Sequence, residues 1–217
     1  ECTNYSYQVS GNGTTAQSPG KRNKNKVNQA STTIKGIDNL LLNHSAEIGT
    51  NGWATSNWAG YDATFARVTT QKYLGNYSLS VASSVTGTNM VGYMQELSNL
   101  TPGETYTLSA YMKTTSVSNP SSTWGAGVYA AYFNGSTHTS TSYSRGIQGT
   151  TDWQRITLTF TVPTGTTSVR VYGGLMWSSG TAYFDCFQLE KGSYANDYNM
   201  IVNPQFNTTG TWSMSFD

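Results

Sequence analysis

Seven segments of this chain alternate apolar and polar residues one for one, and that period leaves little room for helices. They are YSLSVAS (77–83), MVGYMQELS (90–98), TYTLSAYMKTT (105–115), AGVYAAYFN (126–134), WQRITLTFTV (153–162), TSVRVYGGLMW (167–177) and AYFDCFQLE (182–190). Turn signals such as LTPGE, FNGS, VPTGT and SSG separate them. Many short antiparallel strands at this spacing predict an all-β chain, a two-sheet antiparallel β-sandwich of jelly-roll type.

The alternation also assigns faces. Tyr106, Leu108, Ala110 and Met112 form one apolar row, Ile156, Leu158, Phe160 and Val162 another, and Val169 and Val171 a third. These rows are expected to fill the gap between the sheets. Thr107, Ser109, Tyr111, Lys113, Arg155, Arg170 and Tyr172 then point outward. Outward rows that carry Tyr and Arg among Ser and Thr are unusual for a plainly solvated surface.

Charge narrows the function. Only 11% of residues are charged and the formal net charge is +1, so the basic stripe of a nucleic-acid binder is missing. The cluster KRNKNK (Lys21–Lys26) has no aromatic residues beside it and reads as a solvated loop. No apolar run approaches the roughly 20 residues that cross a bilayer, so membrane insertion is not expected. The composition, rich in Ser, Thr, Asn, Gly and Tyr, suits a secreted or wall-associated protein. Cys186, inside an apolar strand, is expected to be a small buried hydrophobe, with a bridge to Cys2 the alternative.

Two phrases repeat. NLLLNHSAEIGTNGW (39–53) and NMIVNPQFNTTGTW (199–212) both run Asn, three apolar residues, Asn, a polar stretch and Trp. A period of about 160 residues is too long for a solenoid unit and fits tandem domains. The expected organisation is a module over 38–192, then a connector and the start of a second copy over 193–217. Residues 1–37 are a polar linker or the end of a preceding unit.

NLLLNHSAEIGTNGW resembles the opening signature of bacterial carbohydrate-binding modules of the family 4, 9, 16 and 22 type. LTPGETYTLSAYMKT, TDWQRITLTFTVPTGTTSVRVY and AYFDCFQLEKG resemble the turn-and-strand motifs that follow and close that fold. YFDCFQLEKGSYANDYN followed by NPQF is similar to tandem modules of wall-associated RHS or YD-repeat proteins. Ala46 stands where the family favours Phe, and Cys186 where it favours a second Asp.

The resemblance implies a structural Ca²⁺, with Glu47 and Asp185 as carboxylate ligands and carbonyls from Gln71–Asn76, Gly49 or Thr50. It also implies glycan binding by ring stacking and hydrogen bonds on one open face. Tyr111, Trp124, Tyr129, Arg170, Tyr172 and Trp177 are the expected contacts, with Lys113 and Gln154 as polar helpers. Trp53 and Trp153 match positions that usually pack inside. An enzyme is not expected: His44 and His138 sit in no triad or metal spacing, and Glu96, Glu104 and Asp152 do not pair across a cleft. The expected function is therefore a non-catalytic module, extracellular or on the cell wall, that holds a polysaccharide and stands beside neighbouring modules. The alternative is a structural or adhesive spacer built on the same sandwich.

Overall fold

A computed structural model of the chain describes residues 39–57, 62–84, 90–121 and 123–197. The chain divides into two units, Glu1–Lys35 and Gly36–Asp217, and every described residue belongs to the second. Cys2, the basic cluster and the repeated phrase from Asn199 lie outside the described residues.

Among the described residues all regular structure is strand. The order is β1 (Ala54–Asn57), β2 (Ala63–Val68), β3 (Ser78–Ser83), β4 (Met90–Leu97), β5 (Thr105–Ser118), β6 (Ala126–Asn134), β7 (Thr137–Tyr143), β8 (Gly149–Thr161), β9 (Ser168–Met176) and β10 (Ser179–Lys191). They make two five-stranded sheets, β1-β4-β9-β6-β7 and β2-β3-β10-β5-β8, and the described ladders are antiparallel. This is the expected two-sheet sandwich.

The core forms where the alternation places it. Leu108, Met112, Val171 and Phe184 are fully buried between the sheets, with Leu158, Val169, Leu175 and Leu189 around them. Each such side chain removes about 1.5–3 kcal/mol worth of apolar surface from water. Three strands escape the sequence reading: β1, β2 and β7. All three are sheet edges, as is β8, but unlike β8, whose Ile156, Leu158 and Phe160 form a clear apolar row, they carry weaker apolar patterns.

β10 breaks its own alternation, and the structure shows why. Asp185 faces Tyr111 and Gln188 faces Ser109, so β10 spends one residue more than β5 over this stretch. Cys186 takes a φ of 51° at the bulge, after which Phe187 and Leu189 continue the inward row begun by Ala182 and Phe184. Cys186 itself is buried. The Phe187 ring fills the space over Gly173, where any Cβ would collide with it.

The opening phrase closes the sandwich beside this bulge. Asn39 accepts from the Leu189 amide through Oδ1 (3.0 Å) and donates through Nδ2 to the Phe187 carbonyl (2.9 Å). Asn43, at φ 44°, donates its side-chain amide to the Gly49 and Asn51 carbonyls and so ties the turn. The Trp53 indole donates to the Asn43 carbonyl (3.0 Å), and its ring packs on Phe187 at 4.4 Å. Asn, Asn and Trp are thus one hydrogen-bonded latch, and Trp53 is a packing residue as expected.

Candidate functional site

The outward row of the first sheet is not a wet surface. Strand register lines up Met94, Tyr172, Tyr129 and Tyr143 side by side across β4, β9, β6 and β7. Tyr129 and Tyr172 stack nearly parallel at 4.4 Å and 11°, and each is only 1% exposed. Beside this aromatic row, Gly92, Gly174 and Gly127 are also in register. A Cβ on Gly174 would land on the Val91 carbonyl oxygen, so the row has to be bare. Met90 and Met176 pair beyond it, and the whole set forms an apolar cluster separate from the core between the sheets.

Two indoles edge this cluster. Trp124 and Trp177 meet at 4.1 Å, and Tyr143 lies 5.3 Å from Trp124 and 5.8 Å from Trp177. All three are half-buried. Trp177 is held at φ 49°, a left-handed backbone that costs a bulky residue about 1–2 kcal/mol. It stands where the chain leaves β9 of one sheet for β10 of the other, and Asn119 clamps its carbonyl by hydrogen bond. Strain held in place this way fixes the indole against Trp124.

Burial raises the Tyr129 phenol well above its ordinary value, with Tyr172 and Tyr143 adding to the effect. That hydroxyl is buried and has no hydrogen-bond partner among the described residues. Arg170 is on the same face, in an ion pair with Glu96 (3.1 Å) and over the Phe133 ring at 4.1 Å.

Of the expected contacts, Trp124, Tyr129, Arg170, Tyr172 and Trp177 therefore share one face. Tyr129 and Tyr172 are its floor rather than its open surface, because their ring faces are used on each other. Tyr143, Met94 and the glycine row were missed. Tyr143 sits in THTSTSY, whose polar residues hide a strand.

Tyr111 needs correcting. It lies on the outward row of β5, in the second sheet, opposite Asp185 and Arg155. The core separates it from Tyr129, so the two never line one groove. Lys113 is on that second face as well, paired with Asp152 at 3.2 Å. Trp153 is half-buried there rather than packed inside, with its ring 6.0 Å from Tyr73. Gln154 is exposed on β8, opposite Met112.

Glu47 and Asp185 do not fit the expected calcium. Glu47 Oε1 accepts the Asn76 and Tyr77 amides (2.9 and 3.0 Å), and Asp185 Oδ2 accepts those of Tyr73 and Leu74 (2.9 and 3.0 Å). Asp185 Oδ1 takes the Cys186 amide at 2.7 Å. The 71–77 loop thus offers these carboxylates its N–H groups, where a hard cation needs carbonyl oxygens. The Ala46 and Glu47 carbonyls already accept from Arg67 (2.6 and 2.9 Å), whose guanidinium also lies over the Tyr77 ring. Among the described residues no group of three or more His, Cys, Asp or Glu is placed to hold a metal. Burial pushes the Asp185 carboxyl up, and the three amides pull it partly back.

Known proteins bear on this geometry. The chain is 29% identical over 208 residues to the tRNA nuclease WapA of Bacillus subtilis strain 168, covering 86% of this chain and 8% of that protein. The WapA of Bacillus spizizenii matches with the same identity and coverage. The chain thus spans under a tenth of these relatives' length. Among solved structures, the xylan-binding domain of Paenibacillus barcinonensis Xyn10C superposes with a TM-score of 0.56 at 21% identity, over 74% of this chain and 99% of that one. A second xylan-binding domain gives 0.55 at 20% identity, over 70% and 95%. At such identity these structures speak for the sandwich alone. A family model described as a carbohydrate binding domain matches residues 38–179. That match spans more than half of the chain, and the protein belongs to the carbohydrate-binding domain family.

Proposed function

We propose that the module holds a polysaccharide, without transforming it, on the outer face of the first sheet at the Trp124–Trp177–Tyr143 edge. The observation that carries this is the pair of half-exposed indoles seated on a rigid aromatic floor. A pyranose ring has a weakly polarised C–H face that suits the electron-rich face of an indole. The floor keeps the indoles from collapsing, so little ordering entropy is lost when a sugar docks. Glu96 and Arg170, further along the same face, can accept from and donate to hydroxyls.

In a longer protein such a module would serve as an anchor, outside the cell or on its wall. Weak single contacts would gain from neighbouring modules through effective concentration. The xylan-binding domains make xylan the first ligand to try. In native gels containing soluble xylan, β-1,4-galactan or mixed-linkage glucan, at least one polymer should retard the protein. Trp177→Ala should weaken that interaction by about 2 kcal/mol, some thirtyfold. No retardation by any polymer would leave the spacer reading in its place.

A further inference from the structure

The second sheet's outer face carries aromatic residues that this function leaves unused. Tyr73, from the 71–77 loop, stacks on Tyr111 at 3.7 Å and 11°, with Trp153 at 6.0 Å and 57°. Tyr73 is 42% exposed. One side of its ring is spent on Tyr111, and the solvent-exposed remainder of the ring is the plate.

The plate is fixed in advance. Asp185 takes the Tyr73 and Leu74 amides, Glu47 takes those of Asn76 and Tyr77, and Ser78 Oγ donates to the Gln71 carbonyl at 2.5 Å. Gly75, at φ 71°, lies so close that a Cβ would meet Glu47 Oε1 at 2.5 Å. The carboxylates that do not suit calcium thus have a visible task, which is to hold the loop and its Tyr73 ring.

Along the same face runs a groove of about 310 Å³ between β2, β3 and β10, lined by Asp62, Thr64, Ser84 and Thr181 among others. Thr181 and Asp185 are four residues apart on β10, about 13 Å along a strand. A ligand that touches both groove and plate is therefore a chain of sugars, not a single one.

Charge selects its class. Lys113 is paired with Asp152. Arg155 already donates to Ser109, Gln188 and Asn196. The groove itself holds the Asp62 carboxylate. Lys72, beside Tyr73, is exposed, but a nucleic-acid strand needs a run of unspent cations along its path, whereas a neutral hydroxylated chain needs only ring faces and hydrogen-bonding groups.

We propose that this face is a second carbohydrate site, taking a neutral polysaccharide with one pyranose ring on Tyr73 and a neighbouring stretch in the Thr64–Thr181 groove. The choice of ligand class rests on the glycan-binding function, whereas the place of the site does not. The test uses the whole chain in native gels with soluble xylan, β-1,4-galactan or mixed-linkage glucan, and with polyuridylate in a parallel set. Disabling the first face with Trp124→Ala and Trp177→Ala together should leave residual retardation by one of the polysaccharides. Adding Tyr73→Ala and Trp153→Ala should weaken that remainder at least tenfold. Tyr73→Phe keeps the ring and should retain binding, which separates loss of the plate from loss of the fold. Should the Trp124/Trp177 variant show no retardation where the wild type is retarded, the second site is overturned and the first stands. If no polysaccharide retards the wild type, both fall. Retardation by polyuridylate that Tyr73→Ala removes would overturn the sugar assignment in favour of RNA.

Discussion

The two sheets share one core yet turn different outer faces to their surroundings. On the first sheet the outward row is Met, Gly and Tyr, so well buried that it amounts to a second, smaller core with two indoles along its edge. On the second sheet the outward row is hydroxyl-rich. Threonines pair across strands at 3.1 Å (Thr105–Thr161), 3.0 Å (Thr107–Thr159) and 2.9 Å (Thr114–Thr151), and the aromatic plate is held from a loop. Alternation decides which side of a sheet a residue occupies. It does not decide whether that side is wet. The first face therefore answers to apolar packing, and the second to satisfied hydrogen bonds, since Thr107, Ser109, Thr114 and Asp185 are buried there too.

The sharpest way to break this contrast is to truncate one tyrosine on each face. Tyr172→Ala opens a cavity in the first face and should cost about 3–5 kcal/mol. Tyr111→Ala, on the second, should cost about 1 kcal/mol. Urea unfolding of both variants at unchanged m-value measures the difference, and equal losses would show that the faces are alike. Next in size is Gly174→Ala, which forces a methyl group toward the Val91 carbonyl and should cost about 1–3 kcal/mol. Thr157→Ala, at an exposed site on the second sheet, should stay within about 0.5 kcal/mol.

The 71–77 loop gives a smaller effect than Gly174→Ala. Glu47→Ala removes the acceptor for two amides and should cost about 1 kcal/mol, while a chelator should leave the wild-type melting temperature where it was. A drop on chelation would show that a metal holds this loop after all. Smaller again, and of opposite sign, is Tyr129→Phe. It deletes a buried hydroxyl without changing ring packing, and should be neutral or stabilise by up to about 1 kcal/mol. Marked destabilisation would show that the hydroxyl has a partner the first face needs.

These contrasts also mark what the sequence could and could not say. The inward rows around Leu108, Leu158 and Val171 were legible because a strand with one face in the core must alternate. Arg170 and Tyr172 were legible as outward for the same reason, whereas Tyr129 was placed outward from the resemblance and Trp124 and Trp177 only near strand ends. Tyr111 was misplaced because period 2 states inward or outward but not which sheet, and sheet membership depends on long-range pairing. The amide contacts of Glu47 and Asp185 were not legible, because a carboxylate looks alike in sequence whether a cation or an amide faces it; only the loop's backbone direction distinguishes the two. The β10 bulge did leave a trace, since Phe184 and Phe187 are three residues apart where strict alternation needs two.

The slightest effect concerns the buried end of the second face, where two influences on Asp185 oppose each other. Burial raises its carboxyl above 3.8, and the amides of Leu74, Tyr73 and Cys186 act the other way. With burial the larger, the folded chain holds this proton more tightly than the unfolded chain does. The stability that Asp185 contributes is then fully present below pH 3.8 and is lost as pH rises through the folded value. Asp152, on the same face, runs in the other direction. The Trp153 amide and Lys113 hold its carboxyl below 3.8, so its contribution is present above that value and is lost on acidification. Comparing wild type with Asp185→Asn removes the shared Asp152 behaviour. The wild type should lose ground to the variant as pH climbs from about 3 to 7 in denaturant titrations. If it gains instead, the three amides outweigh burial, and the loop under Tyr73 is clamped by an anion at pH values above Asp185's folded value.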